Sequence, residues 1–275
     1  MNVKIINLDS CYANYLYDNN NLLTPYYCEF PFSLPIRNIK KISLMSFELP
    51  VLFNNIRAND NNYYSLNYLS FTYQYNTVNY TASFNIPEGF YNSVNALTTA
   101  INATIAADAT LTARNIQVVF SSNNNKIVIT SNSTLFKLNN KPNTNDIFKR
   151  TAYPFMNLIL GFVSDESTTA NINLTAPNRY NLNIDNYINL QIMNLPFNSQ
   201  NLNNIPSSFK IPVNSVNGVI YYLFNNQSYE QFITNTDNNL VLDKLTIRIT
   251  DRFNNYINAN GADWSSTLKV EYNEN

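Results

Sequence analysis

The chain has 275 residues, of which 45 % are hydrophobic and only 13 % charged, with a formal net charge of −1. That much apolar material can build a core, so disorder is not the expected state. No block of Lys or Arg offers the basic footprint of a nucleic-acid surface, and no apolar run reaches the ~18 residues of a membrane-spanning helix. The sequence contains no histidine. This removes His-based acid–base catalysis, Ser-His-Asp and Cys-His nucleophiles, and His metal sites.

Charged residues being scarce, asparagine supplies the polar surface: it makes up roughly a fifth of the chain, far above ordinary usage. Gly is rare (4 residues), while Tyr (20) and Phe (17) are abundant. Codons rich in A and T produce this bias. Asn tolerates left-handed backbone and can replace Gly in turns.

In chain order, short apolar runs alternate with turn signals, the pattern of a sandwich or barrel. "MNVKIINLDS" opens with a strand and is too soon polar for a signal peptide. "YYCEFPFSLP" (26–35) is extended but interrupted by Pro31 and Pro35, which suits an edge strand. "IKKISLMSFELP" (39–50) places apolar residues on both faces: Ile42 and Leu44, then Met45, Phe47 and Leu49. Such a strand is expected to be covered on both sides or to switch sheets. "YYSLNYLSFTYQYN" (63–76) is rich in strand formers.

"FNIPEGFYNSVNALTTAINATIAA" (84–107) differs from everything else. A strand ends at Pro87-Glu88-Gly89, where Pro removes a ladder donor and Gly can take φ > 0. An amphipathic helix follows over about 92–107. Val94, Leu97, Ile101 and Ile105 form its apolar stripe, and Asn92 or Ser93 caps it. Phe90 and Tyr91 are expected to seat its start in a staple-like contact, the helix acting as a lid on the sandwich.

"IQVVFSSNNNKIVITSN" predicts a hairpin, with strands 116–122 and 126–132 around an Asn turn. Further strands are expected near 158–163, 171–175, 187–193, 208–213 and 219–224. A second hairpin is expected at the end. Leu245, Ile247, Ile249 and Phe253 share one face of its first strand and Thr246, Arg248, Thr250 and Arg252 the other. In its second strand Leu268, Val270 and Tyr272 alternate with Lys269 and Glu271, so each strand has one buried and one wet face. Trp264, the single Trp, reads as a core or rim anchor. No repeat, linker or compositional shift marks a boundary. The chain therefore reads as a single β-sandwich domain over 1–275, with two closely merged sandwiches as the alternative.

Catalytic and metal-binding patterns are weak. There is no GxGxxG, P-loop or GxSxG. Asp165-Glu166 and Glu271 with Glu274 are the carboxylate pairs available for glycoside hydrolysis, and solvated surface charge is the simpler reading of each. Asp251, Asn254, Asn258 and Asp263 could offer oxygen ligands to calcium, but without EF-hand spacing. Tyr63-Tyr64 and Tyr221-Tyr222 could stack on sugars, yet one of each pair should point inward. Cys11 and Cys28 lack a metal spacing and read as reduced. Catalytic, cofactor-binding and metal residues are therefore assigned to none of the positions.

Six segments recur in one order: "KIINLDS", "FPFSLPIRNIKKISLMSFELP", "FNIPEGFYNSVNALTTAIN", "LILGF", "DNYINLQIMNLPF", and "FKIPV" leading to "LDKLTIRITDRFNNYINANGADWSSTLKVEY". This order resembles the penton and minor capsid proteins, of jelly-roll type, of nucleocytoplasmic large DNA viruses, over nearly the whole chain. One departure is that "DSCYANY" has no Arg after Asp-Ser.

The resemblance implies an antiparallel jelly-roll β-sandwich without catalytic activity or cofactor, located in a virion capsid and made in the host cytoplasm. Its partners would be the major capsid protein, minor capsid proteins and copies of itself, as a pentamer at a vertex. Residues about 10–30 are a possible assembly arm. The alternative function is a lectin-like or fibre-type host-attachment module.

Overall fold

The computed structural model describes residues 1–17, 23–52, 54–57, 66–132, 135–139, 156–162, 172–183, 186–195, 199–200, 206–213, 220–224, 232–234, 240–252, 254, 256–257 and 260–273. Strands β1 (Asn2–Asp9), β2 (Asn14–Tyr17), β3 (Leu23–Arg37) and β4 (Ile39–Pro50) come first. Then follow β5 (Tyr68–Tyr75), β6 (Val78–Asn85), helices α1 (Val94–Ala106) and α2 (Ala109–Ala113), β7 (Val118–Asn123), β8 (Lys126–Ser131), β9 (Phe136–Leu138), α3 (Met156–Leu160) and β10 (Asn173–Thr175). The remaining strands are β11 (Tyr187–Ile192), β12 (Ser199–Gln200), β13 (Pro206–Ser207), β14 (Phe209–Pro212), β15 (Ile220–Phe224), β16 (Phe232–Thr234), β17 (Val241–Asp251) and β18 (Ser265–Tyr272).

The chain divides into two compact units, Met1–Phe53 with Asp185–Asn275, and Asn54–Ile184. The sequence reads as a single domain over 1–275 with two closely merged sandwiches as the alternative; both units are β-rich and draw on the same Asn, Tyr and Ile, so composition shows no boundary between them.

In the first unit β15 and β16 pair with successive stretches of β4, so together they act as one interrupted strand. Its eight principal strands are then β1, β3, β4, β11, β14, β15/β16, β17 and β18. One sheet has the order β1-β18-β4-β15, and the other β14-β11-β17-β3-β2. In chain order these read first-eighth-third-sixth and fifth-fourth-seventh-second, with β2 added at an edge. All pairings are antiparallel. This is the double Greek key of a jelly roll. Its core includes Ile42, Leu44, Phe47 and Leu268 from the first sheet and Cys28, Leu190, Leu245, Ile247 and Ile249 from the second. Trp264, 1 % exposed, stacks on Phe47 at 6.0 Å and meets Phe30 edge-on at 5.8 Å. It is a core anchor bridging side chains of both sheets.

β4 neither switches sheets nor buries two apolar faces. Its register against β18 shifts twice, passing over Met45 between Ser46 and Leu44, and over Lys40 between Lys41 and Ile39. Each bulge adds a residue and reverses the period-two phase. Ile39, Ile42, Leu44, Phe47 and Leu49 therefore all reach the core.

β17 and β18 are not a hairpin: they lie in different sheets. Their alternation was legible, their pairing was not, since it is made with distant strands. The inward face of β17 is as expected at Leu245, Ile247 and Ile249, while Phe253 lies outside the described residues. Its other face is not wet. Thr246 and Thr250 are buried, a bridge joins Thr250 to Tyr256, and Arg248 lies 4.5 Å from the Tyr256 ring centroid. The chain after β17 folds back over that face.

β3 is interior where β2 pairs with it, over Leu23–Glu29. Beyond that stretch β2 no longer follows, and there Pro31 and Pro35 fall. The edge expectation thus holds only for the proline-bearing half.

The second unit contains two three-stranded antiparallel sheets, β6-β5-β9 and β10-β8-β7, with helices α1 to α3. The helix expected at about 92–107 is α1, capped by the Ser93 hydroxyl on the Ala96 N–H at 3.2 Å. It packs on β7, where Asn102 accepts from the Phe120 N–H (2.8 Å) and donates to its carbonyl (2.9 Å), satisfying an open strand edge.

Gly89 does not take φ > 0; it forms a bridge with Ile56 in ordinary extended backbone. At the entry to the helix Tyr91 is held by Asn55, which accepts from its N–H and donates to its carbonyl, both at 2.9 Å.

Asn does take glycine's place in turns. Among the described residues, eight non-Gly residues have positive φ: Asn38, Asn76, Thr77, Asn115, Asn124, Asn125, Asn254 and Asn260. The predicted hairpin is β7–β8, and its two turn residues, Asn124 and Asn125, have φ of 50° and 60°, as a tight two-residue turn requires.

Candidate functional site

At one end of the jelly roll, a 3-10 turn at Ser10–Tyr12 docks on the segment preceding β18. The Ser10 N–H donates to the Trp264 carbonyl and the Ser10 hydroxyl accepts from the Trp264 N–H, both at 2.9 Å. The Tyr26 hydroxyl donates to the Ala262 carbonyl at 2.5 Å, and Trp264 Nε1 donates to the Pro25 carbonyl at 2.6 Å.

Asp263 accepts from the Ser10 hydroxyl (2.8 Å) and the Tyr15 hydroxyl (3.3 Å). Partial burial raises the Tyr15 phenol above its ordinary pKa, and the Asp263 charge adds to the shift. Asp263 is therefore engaged in joining the turn to the sandwich. Asn254 accepts from Gln191 Nε2 at 3.0 Å, the Asp251 carbonyl accepts from Asn189 Nδ2 at 3.0 Å, and Asn258 lies outside the described residues. Of the side-chain oxygens nominated for calcium, those of Asp263 and Asn254 thus bond separate partners.

Glu271 pairs with Lys269 at 2.6 Å. Glu274, Asp165, Glu166, Tyr63 and Tyr64 lie outside the described residues, and Tyr221-Tyr222 are strand positions of β15, opposite Leu49 and Glu48.

The outstanding surface is the edge at β2, which has no further strand partner among the described residues. Tyr12 is 84 % exposed and Tyr17 60 %, with Tyr15 and Leu23 also exposed. No residue from Ser10 to Tyr17 carries a formal side-chain charge. Strand edges are usually blunted by Lys, Pro or bulges. The opposite edge of the same sheet, β14, follows that rule with Lys210 and Pro212. β2 carries neither Lys nor Pro; its register on β3 shifts between Tyr15 and Leu16, and it bears tyrosines, the composition of an interface core rather than a solvated rim. Residues 10–30, marked in the sequence as an arm, thus split in role. Tyr26, Cys28 and Phe30 are core, while Tyr12, Tyr15 and Tyr17 face outward. The combination of tyrosines and missing charge was the available signal.

Both cysteines are free thiols, Cys11 exposed and Cys28 buried. The bond to Asp9 raises the Cys11 thiol, and burial pushes Cys28 up to about 12.

No family model matches the sequence, and no curated protein matches it. Among solved structures, the chain is similar to a selenomethionine-labelled mavirus penton protein, with 13 % identity, coverage of 98 % of this chain and 99 % of that one, and a TM-score of 0.49. At that level of similarity the fold assignment rests on the strand order described above.

Proposed function

We propose that this chain is a structural protein of a viral capsid, a penton or minor capsid component of a nucleocytoplasmic large DNA virus. It would build the shell by contacts with the major capsid protein, minor capsid proteins and its own copies. Jelly rolls serve capsid and lectin domains alike, so fold by itself does not choose between them. The observation that carries the reading is the uncharged, tyrosine-bearing edge at β2, which suits burial against a neighbouring subunit. The order of six sequence segments points the same way.

Solution mass by light scattering, with class-averaged images of the same sample, tests the proposal. A ring of five supports a vertex position. A monomer that joins particles only with other shell proteins supports the minor capsid role. A stable trimer with projecting tips would move the reading to a host-attachment module.

A further inference from the structure

The tip of the β5–β6 hairpin carries a cluster that the shell reading leaves unused. Tyr73 and Tyr80 are cross-strand partners with rings stacked at 5.8 Å. Arg114, closing α2, lays its guanidinium over them. Its Cζ lies 4.0 Å from the Tyr80 ring centroid, 5.2 Å from that of Tyr75 and 5.9 Å from that of Tyr73. One of its five N–H donors is used: Nη1 donates to the Tyr73 hydroxyl at 2.6 Å. Among the described residues no carboxylate pairs with it. The group is a fixed, flat, partly exposed cation with unused donors.

A guanidinium immobilised on aromatic faces is pre-organised for two-pronged bonding to a planar oxyanion. Around it the tip is polar and exposed at Asn76, Thr77 and Asn79, and Val78 is its one exposed aliphatic residue. That is too little contiguous apolar surface for the core of a protein interface, whereas amides and hydroxyls around one cation match the ring hydroxyls of a sugar acid. We propose that Arg114, with Tyr73, Tyr75 and Tyr80 beneath it, forms a binding site for the carboxylate of an acidic saccharide. The Arg would hold the carboxylate bidentately and the hairpin tip would contact the ring hydroxyls. This goes beyond the shell role and does not depend on it.

The test is titration of the full chain with methyl glucuronide, the methyl glycoside of N-acetylneuraminic acid, neutral methyl glucoside and an N-acetyl-glutamate amide, followed by NMR shifts of the Arg114 and tyrosine signals. The expected result is saturable binding of at least one acidic sugar, about tenfold or more tighter than the neutral sugar. Arg114→Gln should abolish it, and Arg114→Lys, which keeps the charge but not the fork, should weaken it several-fold. Melting curves of both variants control for folding, and the ligand comparison on the unmodified chain stands even if a variant fails to fold. Equal binding of neutral and acidic sugars overturns the proposal, as does no saturable binding. Glutamate amide binding as tight as the sugars also overturns it and makes the site one for acidic peptide.

Discussion

Gly161 shows how much a single residue can be asked to do. It follows α3 at φ +89°, its N–H bonds the Leu158 carbonyl, and the next N–H, of Phe162, bonds the Asn157 carbonyl. This is a Schellman end. A Cβ there would collide with the Asn178 carbonyl oxygen and crowd that of Arg179. Gly161→Ala therefore combines a backbone clash with left-handed strain and should destabilise the second unit by more than about 2 kcal/mol. Gly261, at φ +74° with nothing within 4 Å of a built Cβ, is the control. There alanine should cost only the ~1–2 kcal/mol of left-handed backbone. Equal melting shifts for the two variants would contradict the packing argument.

Cys28 provides a titration at the same scale. Its folded thiol, near 12, lies above its ordinary value of 9.0 chiefly because burial disfavours the thiolate. The unfolded chain thus releases the proton first as pH rises, so stability is lost from about pH 9 towards 12. The slope approaches ~1.4 kcal/mol per pH unit. Other groups titrate there too, so the readout is the difference in unfolding free energy between the native chain and Cys28→Ala. That difference should change across the window and stay flat below it. A flat difference throughout would mean that the thiol is not held in its neutral form.

At the level of elements, what was legible in the sequence was local. The α1 stripe, the Ser93 cap and the Asn124–Asn125 hairpin each depend on residues a few positions apart, and each formed as read. What was hidden depends on distant partners. The Met45 bulge exists because β18 pairs on both sides of it, so a sequence pass sees only an apolar pattern changing face. Deleting Met45 leaves Leu44 and Ser46 opposite Leu268 and Thr267 in unbroken alternation, so Phe47 and Leu49 stay inward and the first unit should still fold; Met45→Ala, at a half-buried position, should also be mild. Circular dichroism and melting of the two variants check this, and loss of the fold on deletion would show that the first unit needs the bulge itself. The candidate surface was half visible: the tyrosines of residues 10–30 could be read, but only the pairing of β2 with β3 shows which of them face outward.

For the whole molecule, the jelly roll draws all eight principal strands from outside Asn54–Ile184. The second unit begins and ends on one clamp: Asn55 Nδ2, besides bonding the Tyr91 carbonyl, donates to the Leu182 carbonyl at 3.2 Å. Its ends are therefore close, the condition under which a domain can be inserted or removed without disturbing its host. Replacing residues 54–184 by a short Gly-Ser linker should leave a cooperatively melting β protein with Trp264 in its buried environment. Fluorescence of that tryptophan shifted to the solvent-exposed wavelength would show that the jelly roll needs the insertion. Nothing in composition marked this division, because a boundary between two β units built from the same residue types leaves no compositional edge.

The Asn-built turns have a consequence on a slower clock. An asparagine side chain can be attacked by the following backbone nitrogen, losing ammonia and leaving aspartate or isoaspartate. The reaction is quickest where glycine follows, as at Asn260-Gly261. There the Asn260 amide also donates to the Leu52 carbonyl at 3.1 Å, so deamidation would remove that donor and put a negative charge beside a carbonyl. Glycine in the same left-handed positions would have no side chain to react. By using asparagine instead, the chain accepts a chemical lifetime for its turns, and heat or alkali would age it from its loop tips inward.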